Sequence, residues 1–178
     1  QAVSLTVLDN DPVQISSGQD MNPTARVRND GEAALIFDTA NSSIEFTGLP
    51  GLSRQLLSPA SIAGGQTADL VFETGDASAA SGSYNVELVL TGTENNSQYN
   101  NTLPAPNNLT VQTPADIEID YVSASASHIA QGADTVITIS VSNTGEADMV
   151  LDSLILLPYS DAVNSITPAL PAVINGGS

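Results

Sequence analysis

The sequence predicts an all-β protein built from two β-sandwich repeats in tandem, and three observations carry that expectation. Hydrophobic residues make up 41% of the 178 and are mostly Val, Ile, Leu and Ala, in short runs separated by Gly, Asn, Asp, Ser and Pro. That is the texture of strands punctuated by turns, and no uninterrupted helical period of useful length occurs. Residues 1–38 align without a gap on residues 115–152 with ten identities, and self-similarity at a fixed spacing marks a repeat architecture. The length also exceeds the roughly 100–150 residues of a common single domain.

The repeat is clearest around two segments. An offset of 114 places Ser17-Gly18-Gln19-Asp20 over Gln131-Gly132-Ala133-Asp134, and Val27-Arg28-Asn29-Asp30-Gly31-Glu32-Ala33 over Val141-Ser142-Asn143-Thr144-Gly145-Glu146-Ala147. Further on, Ile62-Ala63-Gly64-Gly65-Gln66 matches Ile174-Asn175-Gly176-Gly177-Ser178 at an offset of 112, so the second copy is two residues shorter in between. These matches divide the chain into a first sandwich, residues 1–113, and a second, residues 114–178, joined around Thr113-Pro114-Ala115. Proline there restricts the hinge and discourages edge pairing. The first copy runs on past Gln66 to Thr113, so the second reads as the N-terminal part of a sandwich, completed by further residues or by another chain through strand addition. A start at Gln1 rather than Met reads as a processed or partial chain.

Within the first copy the pattern is that of seven strands plus a weaker run. Ala2–Leu8 alternates Val3, Leu5 and Val7 inward, and Thr24–Arg28 does so with Ala25 and Val27. The Asn29-Asp30-Gly31 turn is expected to join the latter to Ala34–Phe37 as a hairpin, since these residues tolerate positive φ. Ser43–Thr47, the weaker Arg54–Leu57, Ala68–Glu73, Tyr84–Leu90 and Asn108–Gln112 follow, with Leu70, Phe72, Val86, Leu88 and Leu90 as expected core. Residues 94–107 read as a long exposed loop. Strands at this spacing, in a copy of about 112 residues, suit an immunoglobulin-like sandwich. In the second copy Ile117–Val122 and Val136–Val141 are the early strands, and the nearly continuous apolar segment Met149–Leu157 is expected to be buried on both sides or covered by a neighbour.

The run from Val141 to Leu151, with its Asn143-Thr144-Gly145 turn, small residue and apolar strand, and a later Gly176-Gly177-Ser178 turn, resembles bacterial and archaeal immunoglobulin-like repeats of the cell-adhesion-related and abnormal-spindle/hydin-like groups. In the first copy Asn29-Asp30-Gly31-Glu32-Ala33 carries the same mark, and Ser81-Gly82-Ser83-Tyr84 resembles the Gly-x-Tyr opening of their penultimate strand. The resemblance implies spacers, stalks and adhesive modules of large exported proteins, located outside the cell or on its surface. The partners it implies are other copies of the chain or neighbouring repeats of the same polypeptide.

Composition narrows the chemistry. Twenty acidic residues against three arginines, Arg26, Arg28 and Arg54, give a net charge of −17, which disfavours nucleic acid and anionic membranes because both are gripped by clustered Lys and Arg. No apolar run approaches the 18 or more residues of a membrane span, so direct membrane insertion is not expected. The absence of cysteine removes disulfides, zinc-thiolate sites and thiol catalysis. His128 is the only histidine, so a Ser-His-Asp arrangement would have to recruit it with Asp134; the expectation is a solvated loop residue and no enzyme activity.

No cofactor is expected, calcium being the weak exception. Asp9 and Asp11 stand two apart in a turn, and Asp116, Glu118 and Asp120 alternate where the copies join, although no spacing matches an established calcium loop and surface acids are the favoured reading. Asn41, Asn95, Asn100 and Asn108 are glycosylation acceptors by sequence, conditional on an archaeal or eukaryotic source. The function expected is a non-catalytic structural repeat of a stalk, filament or surface layer. The alternative is an adhesin module that binds glycan or protein through residues 94–106, for which only Tyr99 and Tyr159 are expected to be exposed as stacking aromatics.

Overall fold

The computed structural model describes residues 2–49, 52–76, 78–128, 130, 132–155 and 169–177. The chain divides into two compact units, Gln1–Gln112 and Thr113–Ser178. Unit 1 contains β1 (Leu5–Asp11), β2 (Gln14–Ser16), β3 (Asp20–Met21), β4 (Thr24–Asn29), β5 (Leu35–Phe37), β6 (Ser43–Phe46), β7 (Ser53–Ser58), β8 (Ser61–Ile62), β9 (Thr67–Phe72), β10 (Gly75–Asp76), β11 (Gly82–Tyr84), β12 (Val86–Glu94), β13 (Ser97–Pro104) and β14 (Leu109–Gln112). Unit 2 contains β15 (Ile117–Ala124), β16 (Ile137–Asn143), β17 (Met149–Leu151) and β18 (Ala172–Ile174). The described residues contain no α-helix, only a 3-10 turn at Thr39–Asn41. The fold is all-β and immunoglobulin-like, as the periodicity predicts.

In unit 1 one antiparallel sheet runs β1-β4-β9-β7. The other is centred on β12, with β13 along one edge and β5 and β6 in succession along the other. β14 pairs parallel with β2 and antiparallel with β11. The weak run at Arg54–Leu57 proves structurally central: Ser53, Arg54 and Gln55 of β7 pair with β6, while Leu56 and Ser58 pair with β9, so this strand passes from one sheet to the other. The core named from sequence is buried, with Leu70, Leu88 and Leu90 at 0%, Phe72 at 1% and Val86 at 2% exposure. Each such side chain contributes about 1.5–3 kcal/mol by leaving water.

Two expectations change. Asn29-Asp30-Gly31 does not close a hairpin, because β4 pairs with β1 and β9 whereas β5 pairs with β12 and β8. It carries the chain across from one sheet to the other. Residues 94–107 do not form a loop either: β12 and β13 are a continuous hairpin turned at Asn95-Asn96, both at positive φ (46° and 63°) as a two-residue primed turn requires. The sequence hides this strand because its side chains are polar and mostly exposed.

The crossover is organised by the Asn29 side chain, which is fully buried. Its Oδ1 accepts from Gly31 N at 3.0 Å and Ser4 N at 3.3 Å, and its Nδ2 donates to Ala33 O at 2.8 Å and, more weakly, to Ala63 O at 3.4 Å. Its backbone N donates to Gln66 O and its carbonyl accepts from Gly65 N, both at 2.8 Å. One residue thus ties the first strand, the second strand, the crossover and the turn into β9. Glycine is required at 31, where a Cβ would overlap the Ala2 carbonyl, and at 65, where φ is +69°.

Unit 2 repeats this arrangement. Asn143 is also fully buried and accepts from Asp116 N at 3.0 Å and Gly145 N at 3.1 Å, while donating to Ala147 O at 2.8 Å and Ile174 O at 3.3 Å. Gly177 N donates to Gly145 O at 2.7 Å, as Gly65 N does to Gly31 O at 2.9 Å. Thr113 belongs to this cluster rather than to a free linker, since its backbone oxygen accepts from Glu146 N and Ala147 N and its own N donates to the Glu146 carboxylate at 2.8 Å.

The structure also corrects the alignment of the first strand. Ile117 stands opposite Asn143 as Leu5 stands opposite Asn29, so β15 matches β1 at an offset of 112 rather than 114. All ten identities lie at or beyond Ile15, and a slip of two residues keeps every side chain on its own face, so the hydrophobic pattern is blind to it. The residues that take the places of Asp9 and Asp11 are therefore Tyr121 and Ser123, rather than the Ser123 and Ser125 that an offset of 114 assigns. The apolar segment from Met149 is not buried on both sides: β17 alternates, with Val150 exposed, and Leu154 and Ile155 are exposed as well. Residues 156 and 157 lie outside the described residues.

Asn29→Ala is expected to destabilise unit 1 by about 3 kcal/mol, because it leaves buried backbone groups without partners. Asn29→Asp, nearly identical in shape, should also destabilise it, since two carbonyl oxygens would then face a carboxylate. Differential scanning calorimetry checks both: a wild-type melting temperature for Asn29→Asp would show that the amide nitrogen contributes nothing.

Candidate functional site

The described side chains that are both polar and buried are Asn10, Asn29, Ser42 and Asn143, and none of them is ionisable. Each spends its hydrogen bonds on backbone. Asn10 exchanges two bonds with Asn107, from its Nδ2 to the carbonyl at 3.1 Å and from the Asn107 N to its Oδ1 at 3.0 Å. Ser42 does the same with Thr91 across β12, at 3.1 and 3.0 Å. The buried polar groups are therefore architectural ties, whereas a catalytic acid or base is characteristically a sequestered ionisable group with a shifted pKa.

Shifted pKa values fall elsewhere. Arg26 makes a two-point bond with Asp69 across β4 and β9, at 2.7 and 3.1 Å, which holds Asp69 below the usual carboxylate range and raises Arg26. Asp30 is held low by the Thr6 hydroxyl and then by Arg28. These pairs are solvent-exposed, and such pairs contribute little to stability. Tyr99, expected to be exposed, packs its ring against the core, and burial pushes its phenol upward. Tyr159 lies outside the described residues.

The calcium candidates are dispersed. Asp9 accepts from Asn10 N and Asn107 Nδ2, both at 2.9 Å, at the end of β1. Asp11 borders a shallow open cleft of about 410 Å³ with Gln14, Gln19, Asp20 and Asn22. Asp116 contributes backbone groups to the Asn143 cluster, through its N at 3.0 Å and its carbonyl, which accepts from Thr144 N at 2.8 Å. Glu118 is exposed on β15, and Asp120, at the bulge of β15, accepts from Ser140 Oγ at 2.9 Å and Ser142 Oγ at 2.8 Å. Among the described residues no three His, Cys, Asp or Glu side chains converge as a metal site would need.

His128 is exposed and its Nδ1 lies 3.1 Å from Ser127 Oγ, its neighbour in sequence. The four sequon asparagines are all exposed: Asn41 at the 3-10 turn, Asn95 at the tip of the β12–β13 hairpin, Asn100 on β13 and Asn108 before β14. Tyr84, flagged by the Gly-x-Tyr pattern, closes a corner by donating its hydroxyl to Ala80 O at 2.8 Å, the way a tyrosine at this point of an immunoglobulin-like sandwich commonly does.

All three arginines have intramolecular partners, Arg54 donating to Asp76 O at 2.7 Å. Residues 113–178 hold eight carboxylates and no Lys or Arg at all. Among the described residues no helix is long and apolar enough to cross a membrane.

No protein-family model matches the sequence, and no curated protein matches it. Among solved structures, the chain is similar to a crystal structure of native alpha-2-macroglobulin from Escherichia coli, spanning the residues from domain MG7 to the C-terminus, at a TM-score of 0.43 and 18% identity. The match covers 69% of this chain and 19% of that one, so the chain spans about a fifth of that structure's length.

Millimolar calcium is expected to leave the melting temperature unchanged, because the Asp120 carboxylate already has two hydroxyl donors and the other candidates stand apart. A calcium-dependent rise that Asp120→Asn removes, measured by calorimetry, would establish a site at β15.

Proposed function

We propose that this chain is a non-catalytic structural repeat of an extracellular stalk, filament or surface layer. The observation that carries this reading is the buried asparagine cluster constructed twice, around Asn29 and around Asn143, with three of its four side-chain bonds at equivalent positions. The buried polar side chains serve closure of the fold in both units, and no described carboxylate, arginine or histidine is buried. A module of this kind presents edges and faces rather than a concave site. Its charge of −17 supports exposure to solvent, keeping neighbouring molecules soluble, and the paired arginines offer no cationic surface to a polyanion. Its partners on this reading are other copies or neighbouring repeats of the same polypeptide, and it needs no cofactor.

Immunogold labelling of intact cells of the source organism, with antibody raised against the 178-residue chain, tests the reading. Label on surface filaments or a continuous outer layer is the expected result. Label confined to the cytoplasm would sink it.

A further inference from the structure

Two long strands of unit 1 end their sheets, and they are built differently. β1 pairs with β4 alone and β13 with β12 alone. A bare strand edge invites pairing with another chain, and proteins blunt it with charge, proline or a bulge. β1 has a bulge between Val7 and Asp9 and carries the Asp9 and Asp11 carboxylates. β13 pairs with β12 over eight positions without a shift of register and carries no charge; its one proline, Pro104, is its last residue. Residues 95–115 are the longest stretch of the sequence without Asp, Glu, Lys or Arg, in a chain whose net charge is −17.

The outer edge of β13 is open. Glu94 and Ser97 flank the two-residue turn and so bond to each other, and alternation from there directs the N–H and C=O of Gln98, Asn100 and Thr102 away from β12. No backbone group meets them among the described residues.

In place of charge this edge has two acceptor sequons. Asn95-Asn96-Ser97 spans the turn and Asn100-Asn101-Thr102 lies on the strand. Asn95, Ser97, Asn100 and Thr102 are all exposed, and among the described residues none of their side chains is hydrogen-bonded. Asn101 stands opposite the buried Leu90, so Asn100 lies on the other, outer face, midway along the edge. The remaining sequons are tied into the fold. Asn41 Nδ2 donates to Asp38 Oδ2 at 2.8 Å and Ser43 Oγ to Glu45 Oε1 at 3.2 Å, while Asn108 Nδ2 reaches Ser83 Oγ at 3.4 Å and Thr110 sits in β14 with strands paired on both sides.

We propose that Asn95 and Asn100 carry N-linked glycans that guard the β13 edge against pairing with another strand. The co-substrate is a lipid-phosphate-linked oligosaccharide. A bond forms between the asparagine Nδ2 and C1 of the sugar, the bond from C1 to the phosphate oxygen breaks, the lipid phosphate leaves with the electron pair, and Nδ2 gives up one proton. A glycan is bulky and solubilising, so one at the hairpin tip and one beside the open N–H and C=O groups exclude a second strand where β1 does so with a bulge and carboxylates.

Tandem mass spectrometry of the protein purified from its source organism tests the site. Residues 95–102 are expected to carry added sugar mass at both asparagines. In protein expressed in that organism, Thr102→Ser should keep the glycan at Asn100, whereas Thr102→Ala should lose it and leave the one at Asn95. Unmodified Asn95 and Asn100 would overturn the proposal, and a dimer through β13 in the same material would assign the edge to a second copy instead. Analytical ultracentrifugation tests the guarding role. The 178-residue chain made in a host without N-glycosylation should self-associate, with hydrogen exchange slowed at Gln98, Asn100 and Thr102, and Thr102→Lys, which charges the edge, should return it to monomer. A glycan-free chain that stays monomeric, or that associates without protecting these residues, would overturn that role. Surface label in the immunogold experiment with both asparagines unmodified would sink this inference alone, and glycan on a protein without surface label would sink the structural-repeat reading alone.

Discussion

The structure depends on a buried primary amide that serves two sheets at once. Where β4 ends, the chain must leave one sheet for the other, and that departure strands N–H groups on one side and carbonyl oxygens on the other. A carboxamide has two acceptor lone pairs at one end and two donors at the other, and Asn29 uses both ends: N–H groups of Ser4 and Gly31 at the oxygen, carbonyls of Ala33 and Ala63 at the nitrogen. Asp lacks the donors, Ser lacks the reach, and an aliphatic residue would leave all four backbone groups to find other partners. Gly31 follows from the same crowding, because a Cβ there would overlap the Ala2 carbonyl, whereas Gly65 follows from the positive φ of the turn into β9. Asn143 shows that the solution is local: it forms in unit 2, where no hydrophobic residue among those described is buried.

This explains which parts of the fold were legible. Asn29 and Asn143 stand out in the repeat alignment together with their glycines, because the cluster demands particular residue types and tolerates no substitutes. What the cluster does was not legible: Asn-Asp-Gly reads as a reverse turn by its φ preferences, yet neither Asn29, Asp30 nor Gly31 adopts positive φ. The three were selected for hydrogen bonding and for space. The aliphatic strands β9 and β12 were clear because burial on one face leaves a period of two. β13 was not, since a strand whose side chains are mostly solvated leaves no apolar period, and the Asn95-Asn96 turn was obscured by the asparagines around it. Likewise Tyr99 sits in a polar run, so only the pairing of Gly92 with Tyr99 reveals that its ring turns toward the core.

Candidate sites fared differently for a physical reason. Spacing in sequence brings carboxylates together only if the strand keeps its alternation, and β15 does not. A bulge falls between Ile119 and Tyr121, and Asp120 beside it is taken up by the Ser140 and Ser142 hydroxyls. Backbone irregularities of this kind re-aim single side chains and are not written in the identity of the residues around them.

The two units separate what holds an immunoglobulin-like sandwich in register from what makes it stable. Hydrogen bonding at the asparagine cluster chooses the path of the chain, because unmet polar groups are costly wherever they are sheltered from water. Burial supplies most of the favourable free energy, because it scales with apolar area removed from water. Unit 1 has both, and the described residues of unit 2 have the first with little of the second. Its inward residues, from Ile117 through Val141 to Ile174, are chosen as in unit 1 and are half-buried among the described residues, so the polar cluster sets the register of the sandwich even where apolar burial is slight.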